Sequence, residues 1–169
     1  MKKLIFSLTI LSSVLLASCI KNDPVLFQDS KVEFDAATWN ANSVGVTFPV
    51  LTRVPAQGFA TPTTQPLLTR ATTSFNLRVN LVGAQRPAAS SFTYTVDPAS
   101  TAVAGTHFAA FSGTGTIPAD SSFGIITVNV LNPGVSSATP AVLVLQLTDN
   151  ENFKANANYA KVGLSISQL

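Results

Sequence analysis

The chain's single histidine sits in the stretch AVAGTHF, residues 102–108, two positions after Gly105. An imidazole there could ligate a metal or act as a general base. Zinc would require three or four nitrogen, sulfur or carboxylate ligands, and the sequence offers one histidine and one cysteine. His107 is therefore expected to be a turn residue hydrogen-bonded to nearby backbone. Serines are plentiful, yet no GxSxG pattern presents one as a nucleophile. Paired carboxylates for glycoside chemistry would have to come from Asp97, Asp120, Asp149 and Glu151, which stand among turn formers where aspartate ordinarily caps the backbone. Asp149-Asn150-Glu151 is the one local acidic cluster, and it could hold a weak cation or cap a solvated turn. Trp39, the only tryptophan, could serve as a sugar platform if exposed; its place beside the apolar stretch ending at Phe34 favours a core or lid position. The expected inventory is no catalytic residue, no metal set and no cofactor. Trp39, Asp149 and Glu151 are the candidates for binding a ligand.

The elements that must position these residues read as strands. Phe75, Leu77, Val79 and Leu81 alternate with Asn76, Arg78 and Asn80, which sends apolar side chains to one face of a pleated strand and polar ones to the other. The same period recurs at Phe92, Tyr94 and Val96; at Ile126, Val128 and Val130; at Leu143, Leu145 and Leu147; and at Val162, Leu164 and Ile166. Residues 32–34 and 44–50, rich in β-branched and aromatic types, are earlier strand candidates. Pro87, Asp97-Pro98, Gly113, Gly115, Pro118 and Asn132-Pro133-Gly134 punctuate the runs. Helical signals are nearly absent. The pattern predicts an all-β fold, an antiparallel β-sandwich, with a closed barrel as its rival. Residues 55–70, with three prolines and a glycine, read as a long loop or irregular hairpin.

The opening MKKLIFSLTILSSVLLASC has two lysines, an apolar run and small residues, the order of a secretory signal. Its end, Leu16-Ala17-Ser18-Cys19, resembles the lipobox of bacterial lipoproteins. The resemblance implies cleavage of residues 1–18 and acylation of Cys19. Residues 19–30 would carry the lipid and a short tether, and residues 31–169 a single domain. Several acyl chains on one cysteine exceed the single chain that binds a membrane only reversibly. A lone cysteine leaves no internal disulfide to staple the fold. Without Lys2 and Lys3, the eight remaining Lys and Arg balance eight Asp and Glu, so no basic surface points to nucleic acid. Ile20 lacks the aspartate that some bacteria read as inner-membrane retention, which leans the expected location toward the outer membrane.

From residue 75 to 164 the layout resembles a Calx-beta domain, an immunoglobulin-like family with a TA-x-AG-x-D-[YF] corner after an alternating strand. Here the corner is Thr101-Ala102-Val103-Ala104-Gly105-Thr106-His107-Phe108, followed by GTGTIPADSS at 113–122 and FGIITVNVL at 123–131. Small residues let the chain run close over the sandwich end, Gly105 can take a positive φ, and Phe108 can plug the core. In calcium-binding members of the family, carboxylates from one end of the sandwich assemble the site, including the motif's Asp and a later acidic run. This chain has His107 and NPGVSSATP at those places, while calcium wants six to eight hard oxygens. With its lipobox, the chain looks like Calx-beta-like lipoproteins of uncharacterised function from Gram-negative bacteria, several of which accompany glycan-uptake systems. The leading expectation is a non-enzymatic, lipid-anchored envelope module with a binding or structural role. The alternatives are a carbohydrate-binding accessory protein, which would group exposed aromatics on one face or around residues 55–70, and a residual calcium module. Expected partners are the membrane through Cys19 and a glycan or envelope protein.

Overall fold

The computed structural model describes residues 29–169; the signal, the lipidated Cys19 and most of the tether lie outside the described residues. The alternating segments form strands where the period places them: β3 (Ser74–Val82), β4 (Ser90–Val96), β6 (Phe123–Asn129), β7 (Ala141–Thr148) and β9 (Lys161–Ile166). Shorter strands complete the two layers: β1 (Lys31–Phe34), β2 (Val50–Leu51), β5 (Thr114–Ile117) and β8 (Lys154–Ala155). One sheet runs β6-β3-β1-β8 and the other β2-β9-β7-β4-β5. Their apolar faces meet in a core of Phe34, Phe92, Phe108, Phe153 and the leucines of β3, β7 and β9. Phe92 occupies the space left by Gly115 and Gly124, where any Cβ would run into its ring.

Three features depart from the expected pattern. The sandwich is mixed and not wholly antiparallel, because β8 pairs with β1, and β2 with β9, in parallel. Both additions are two-residue edge strands, held by bonds such as Lys154 N–H to Ser30 O (3.0 Å) and Gly163 N–H to Pro49 O (2.8 Å). Of the 44–50 strand candidate only Val50 is extended and paired. Gly45 turns the chain with φ +82°, and Pro49 has no N–H to give a ladder, so the β-preference of Val44 and Val46 loses to the turn. Residues 35–39 form a short helix, α1 (Asp35–Trp39), whose Ala36 and Ala37 pack into the core. Its end is closed by the Asn40 amide donating to Ala36 O at 2.8 Å.

β7 has a buried run, Leu143-Val144-Leu145, where alternation predicts an exposed middle residue. The segment after β4 continues along that stretch: Asp97 N–H donates to Val144 O at 2.8 Å, and the Ser100 hydroxyl accepts from Val144 N–H at 2.9 Å. The strand register also fixes the two ends of the sandwich. Lys31 lies across from Val82, the end of β3, whereas Ser74, its start, lies across from Asn129. The 83–90 and 149–153 loops thus share the end at which β1 begins, joined by Arg86 donating to Asn152 O at 2.6 Å. The His107 corner, where Phe108 bridges to Val130, occupies the other end.

Candidate functional site

The His107 corner is built for folding. Val103 N–H donates to His107 Nδ1 at 3.0 Å, and His107 N–H returns a bond to Val103 O at 2.9 Å. Gly105 sits at φ +79° and gives its N–H to Phe108 O at 2.8 Å. Phe108 is 1% exposed and stacks on Phe111 with 5.3 Å between ring centres. With Nδ1 accepting, the proton of the neutral ring belongs on Nε2. A hollow of ≈ 350 Å³ beside the ring is lined by Thr101, Pro133, Val135, Thr139 and Gln168 among others, and no carboxylate borders it. Among the described residues, no three of His, Cys, Asp or Glu gather closely enough to hold a metal ion.

The other acidic candidates are engaged in turns. Asp149 accepts Ala155 N–H at 2.9 Å and pairs with Lys154 Nζ at 3.1 Å. Its carboxyl is held below the usual range, first by the Ala155 bond and then by Lys154. Asn150 Oδ1 accepts from the N–H groups of Asn152 and Phe153 at 2.9 and 2.8 Å, closing the loop around exposed Glu151. Asp97 accepts Ala99 N–H at 2.9 Å and meets Lys161 Nζ at 2.7 Å. Asp120 takes a positive φ in its turn.

A different gathering forms around a residue that sequence reasoning did not single out. Asp35 follows β1 on the outward-facing side of the four-stranded sheet and is 2% exposed. Its Oδ1 accepts the Trp39 indole N–H at 3.3 Å and the Asn80 amide at 3.1 Å, while Oδ2 accepts Gly58 N–H at 2.7 Å. Trp39 is on a helix and 51% exposed, contrary to its expected core or lid place at a strand end. Phe59, next to Gly58, is exposed to the same 51%. One buried carboxylate therefore orients an indole and anchors the loop carrying a second aromatic ring. Thr61 N–H donates to Asn40 Oδ1 at 3.0 Å, a second tie between that loop and the end of α1.

Arg78 and Glu33 complete the surface. Arg78 Nε donates to Asn80 Oδ1 at 2.8 Å and lies 4.0 Å from Asp35 Oδ1, and its guanidinium rests 4.3 Å above the Phe123 ring. Glu33, opposite Asn80 across the strands, accepts the Asn156 amide at 2.7 Å. Burial raises the Glu33 carboxyl above its ordinary value, the Asn156 bond works against this, and the Asp35 charge adds to it. The 55–70 segment is, as expected, long and largely irregular, touched by the isolated pairings Arg53–Leu67 and Thr69–Ser167. A signal for the hub existed in the i, i+4 spacing of Asp35 and Trp39, but it has meaning only on a helix, and none was expected there.

No family model matches the chain, and the search of curated proteins finds no match. Similarity is found among solved structures. An apo-form Calx CBD1 domain superposes with a TM-score of 0.54 at 15% identity, covering 83% of this chain and 99% of that one. The fold is a Calx-beta-like β-sandwich. Two further neighbours score below one half. The calcium binding domain CBD12 of CALX1.1 gives a TM-score of 0.49 at 18% identity over 59% of this chain and 39% of that one. A candidate carbohydrate binding protein from Bacteroides ovatus ATCC 8483 gives 0.49 at 12% identity over 82% of this chain and 37% of that one. Within the Calx-beta-like fold, the corner motif and the Asp35 surface stand apart, the first at a sandwich end and the second on an outer sheet face.

Proposed function

We propose that the chain is a non-enzymatic, lipid-anchored module of the cell envelope that binds carbohydrate on the Trp39 and Phe59 surface. The observation that carries this reading is the half-exposed Trp39, whose indole N–H is committed to buried Asp35. Large aromatic rings are ordinarily buried for the apolar area they remove from water. A ring held still with its area in solvent offers a stacking surface at little further entropic cost on binding. The apolar face of a pyranose is a ligand suited to it. The carboxylates of Asp97 and Asp149 and the imidazole, by contrast, are taken up in turns, which supports a binding role over a catalytic one. The lipid anchor rests on the lipobox-like residues before Cys19, and outer-membrane placement goes with it.

Two measurements test the proposal. Full-length protein expressed with its leader should partition with membranes, and Cys19→Ala should move it to the soluble fraction; equal release of both would sink the anchor. Detergent-solubilised full chain applied to a glycan array should bind, and Trp39→Ala should abolish the signal while preserving the melting transition. An array without hits would remove the carbohydrate reading.

A further inference from the structure

Resting on the carbohydrate reading, the groups beside Trp39 narrow the ligand. Arg78 Nε and Trp39 Nε1 converge on the same oxygen, Asp35 Oδ1, at 4.0 and 3.3 Å. The guanidinium is also held from two other directions, by Asn80 Oδ1 at 2.8 Å and by the Phe123 ring 4.3 Å away. These contacts use Nε and one face. Among the described residues, Nη1 and Nη2 have no hydrogen-bond partner in the protein. A fixed guanidinium with its paired donors unspent recognises two oxygen acceptors side by side.

Neighbouring hydroxyls of a sugar ring present such a pair, and so does a carboxylate or sulfate. Local charge decides between them. Arg78 already lies beside Asp35, and Glu33 occupies the same outer face, opposite Asn80. The other two cations of the four-stranded sheet, Lys31 and Lys154, stand in ion pairs with Asp29 (3.3 Å) and Asp149 (3.1 Å). An anionic group brought to Arg78 would meet two carboxylates with no unpaired cation on the same sheet to offset them, whereas an uncharged ring would not.

We propose that the ligand is an uncharged glycan, one ring of which stacks on Trp39 while Arg78 binds an adjacent pair of its hydroxyls through Nη1 and Nη2. Asn80, Asp35 and Phe123 then act as positioning residues for those two side chains.

Affinity electrophoresis of the solubilised full chain tests this, with gels containing a neutral β-glucan, mannan or xylan, or else polygalacturonate or heparin. The expected result is retardation by at least one neutral polymer and none by the acidic ones. Arg78→Gln should weaken it roughly 10- to 100-fold, the range of a lost charge-assisted hydrogen bond. Arg78→Lys, which keeps the charge but not the fork, should fall in between. Stronger, Arg78-dependent retardation by the acidic polymers would overturn the uncharged ligand. Neutral binding that needs Trp39 but is unchanged in Arg78→Gln would overturn the role of Arg78. Both of those outcomes leave the carbohydrate reading standing. Retardation by no polymer would overturn that reading and this inference together. Should Arg78→Gln not melt cooperatively, Arg78→Lys carries the same comparison.

Discussion

At the His107 corner, a ring nitrogen takes a backbone N–H and a phenyl ring disappears into the core; at the Asp35 hub, a buried carboxylate takes three donors and two aromatic rings stay outside. The corner holds the chain's one imidazole and spends its Nδ1 on the corner's own geometry. The hub spends a buried carboxylate on holding the chain's one tryptophan in place and leaves apolar area in water. Rarity alone is therefore a poor guide to function: histidine and tryptophan each occur once, yet the imidazole commits Nδ1 to its own turn while the indole is held out in solvent. More informative is which side chains a fold fixes in place without covering them. At the corner that set is small, since Phe108, the largest ring of the motif, lies in the core.

The largest expected effect tests the structural half of this contrast. Phe108→Ala removes a ring that is 1% exposed and stacked on Phe111, so it should cost about 3–5 kcal/mol in denaturant unfolding. Glycan binding by the folded fraction should not change. A cost below about 1 kcal/mol would mean that the corner can collapse around the loss, and it would no longer count as a core plug.

Asp35→Ala and His107→Ala form a matched pair of smaller effect. The first strands the Gly58 N–H, the Asn80 amide and the Trp39 indole N–H, with an expected cost of about 1–3 kcal/mol. It should also shift Trp39 fluorescence and weaken glycan binding at least roughly tenfold, since the stacking ring is no longer held. His107→Ala strands one exposed N–H, that of Val103, which water can satisfy, so the expected cost is about 0.5–1 kcal/mol with binding unchanged. If His107→Ala abolished binding and Asp35→Ala did not, the assignment of the two regions would be reversed.

The long strands were legible in the sequence because alternation is a local property: Phe75 through Leu81 need only be extended for their faces to separate. The corner was legible for a similar reason, since Gly105, His107 and Phe108 bond within their own turn. What escaped depends on partners far along the chain. The parallel edges β2 and β8 exist only because β9 and β1 are there to pair with. Helix α1 is five residues long, too short to announce itself by periodicity, and owes its place to burial of Ala36 and Ala37. The hub draws on residues 35, 39, 58 and 80 from a helix, a loop and a strand, and no spacing rule links them. Trp39 and the proline-rich loop were each visible alone; that one carboxylate ties them together was not.

The smallest expected effect compares the two buried acids. Asp35 is held mainly by uncharged donors, whereas Asp97, at the turn leading into the corner, meets Lys161 Nζ at 2.7 Å and Ala99 N–H at 2.9 Å. The Asp97 carboxyl is held below its ordinary value, first by the Lys161 hydrogen bond and then by that of Ala99. A carboxyl depressed in the folded state binds its proton more readily once unfolded, so its stabilisation is present above the unfolded pKa, about 3.9. That stabilisation disappears as pH falls through the lower folded value. Urea unfolding of wild type and Asp97→Asn should differ by about 0.5 kcal/mol at about pH 6, and the gap should close at a pH below about 3.9. Lys161 reaches this site from β9, so the gap also measures how firmly the corner's entry turn is tied to the five-stranded sheet. A gap that held constant into acid would mean that neutral hydrogen bonds alone secure that turn, as they largely do at the hub, and the two buried acids would no longer differ in kind.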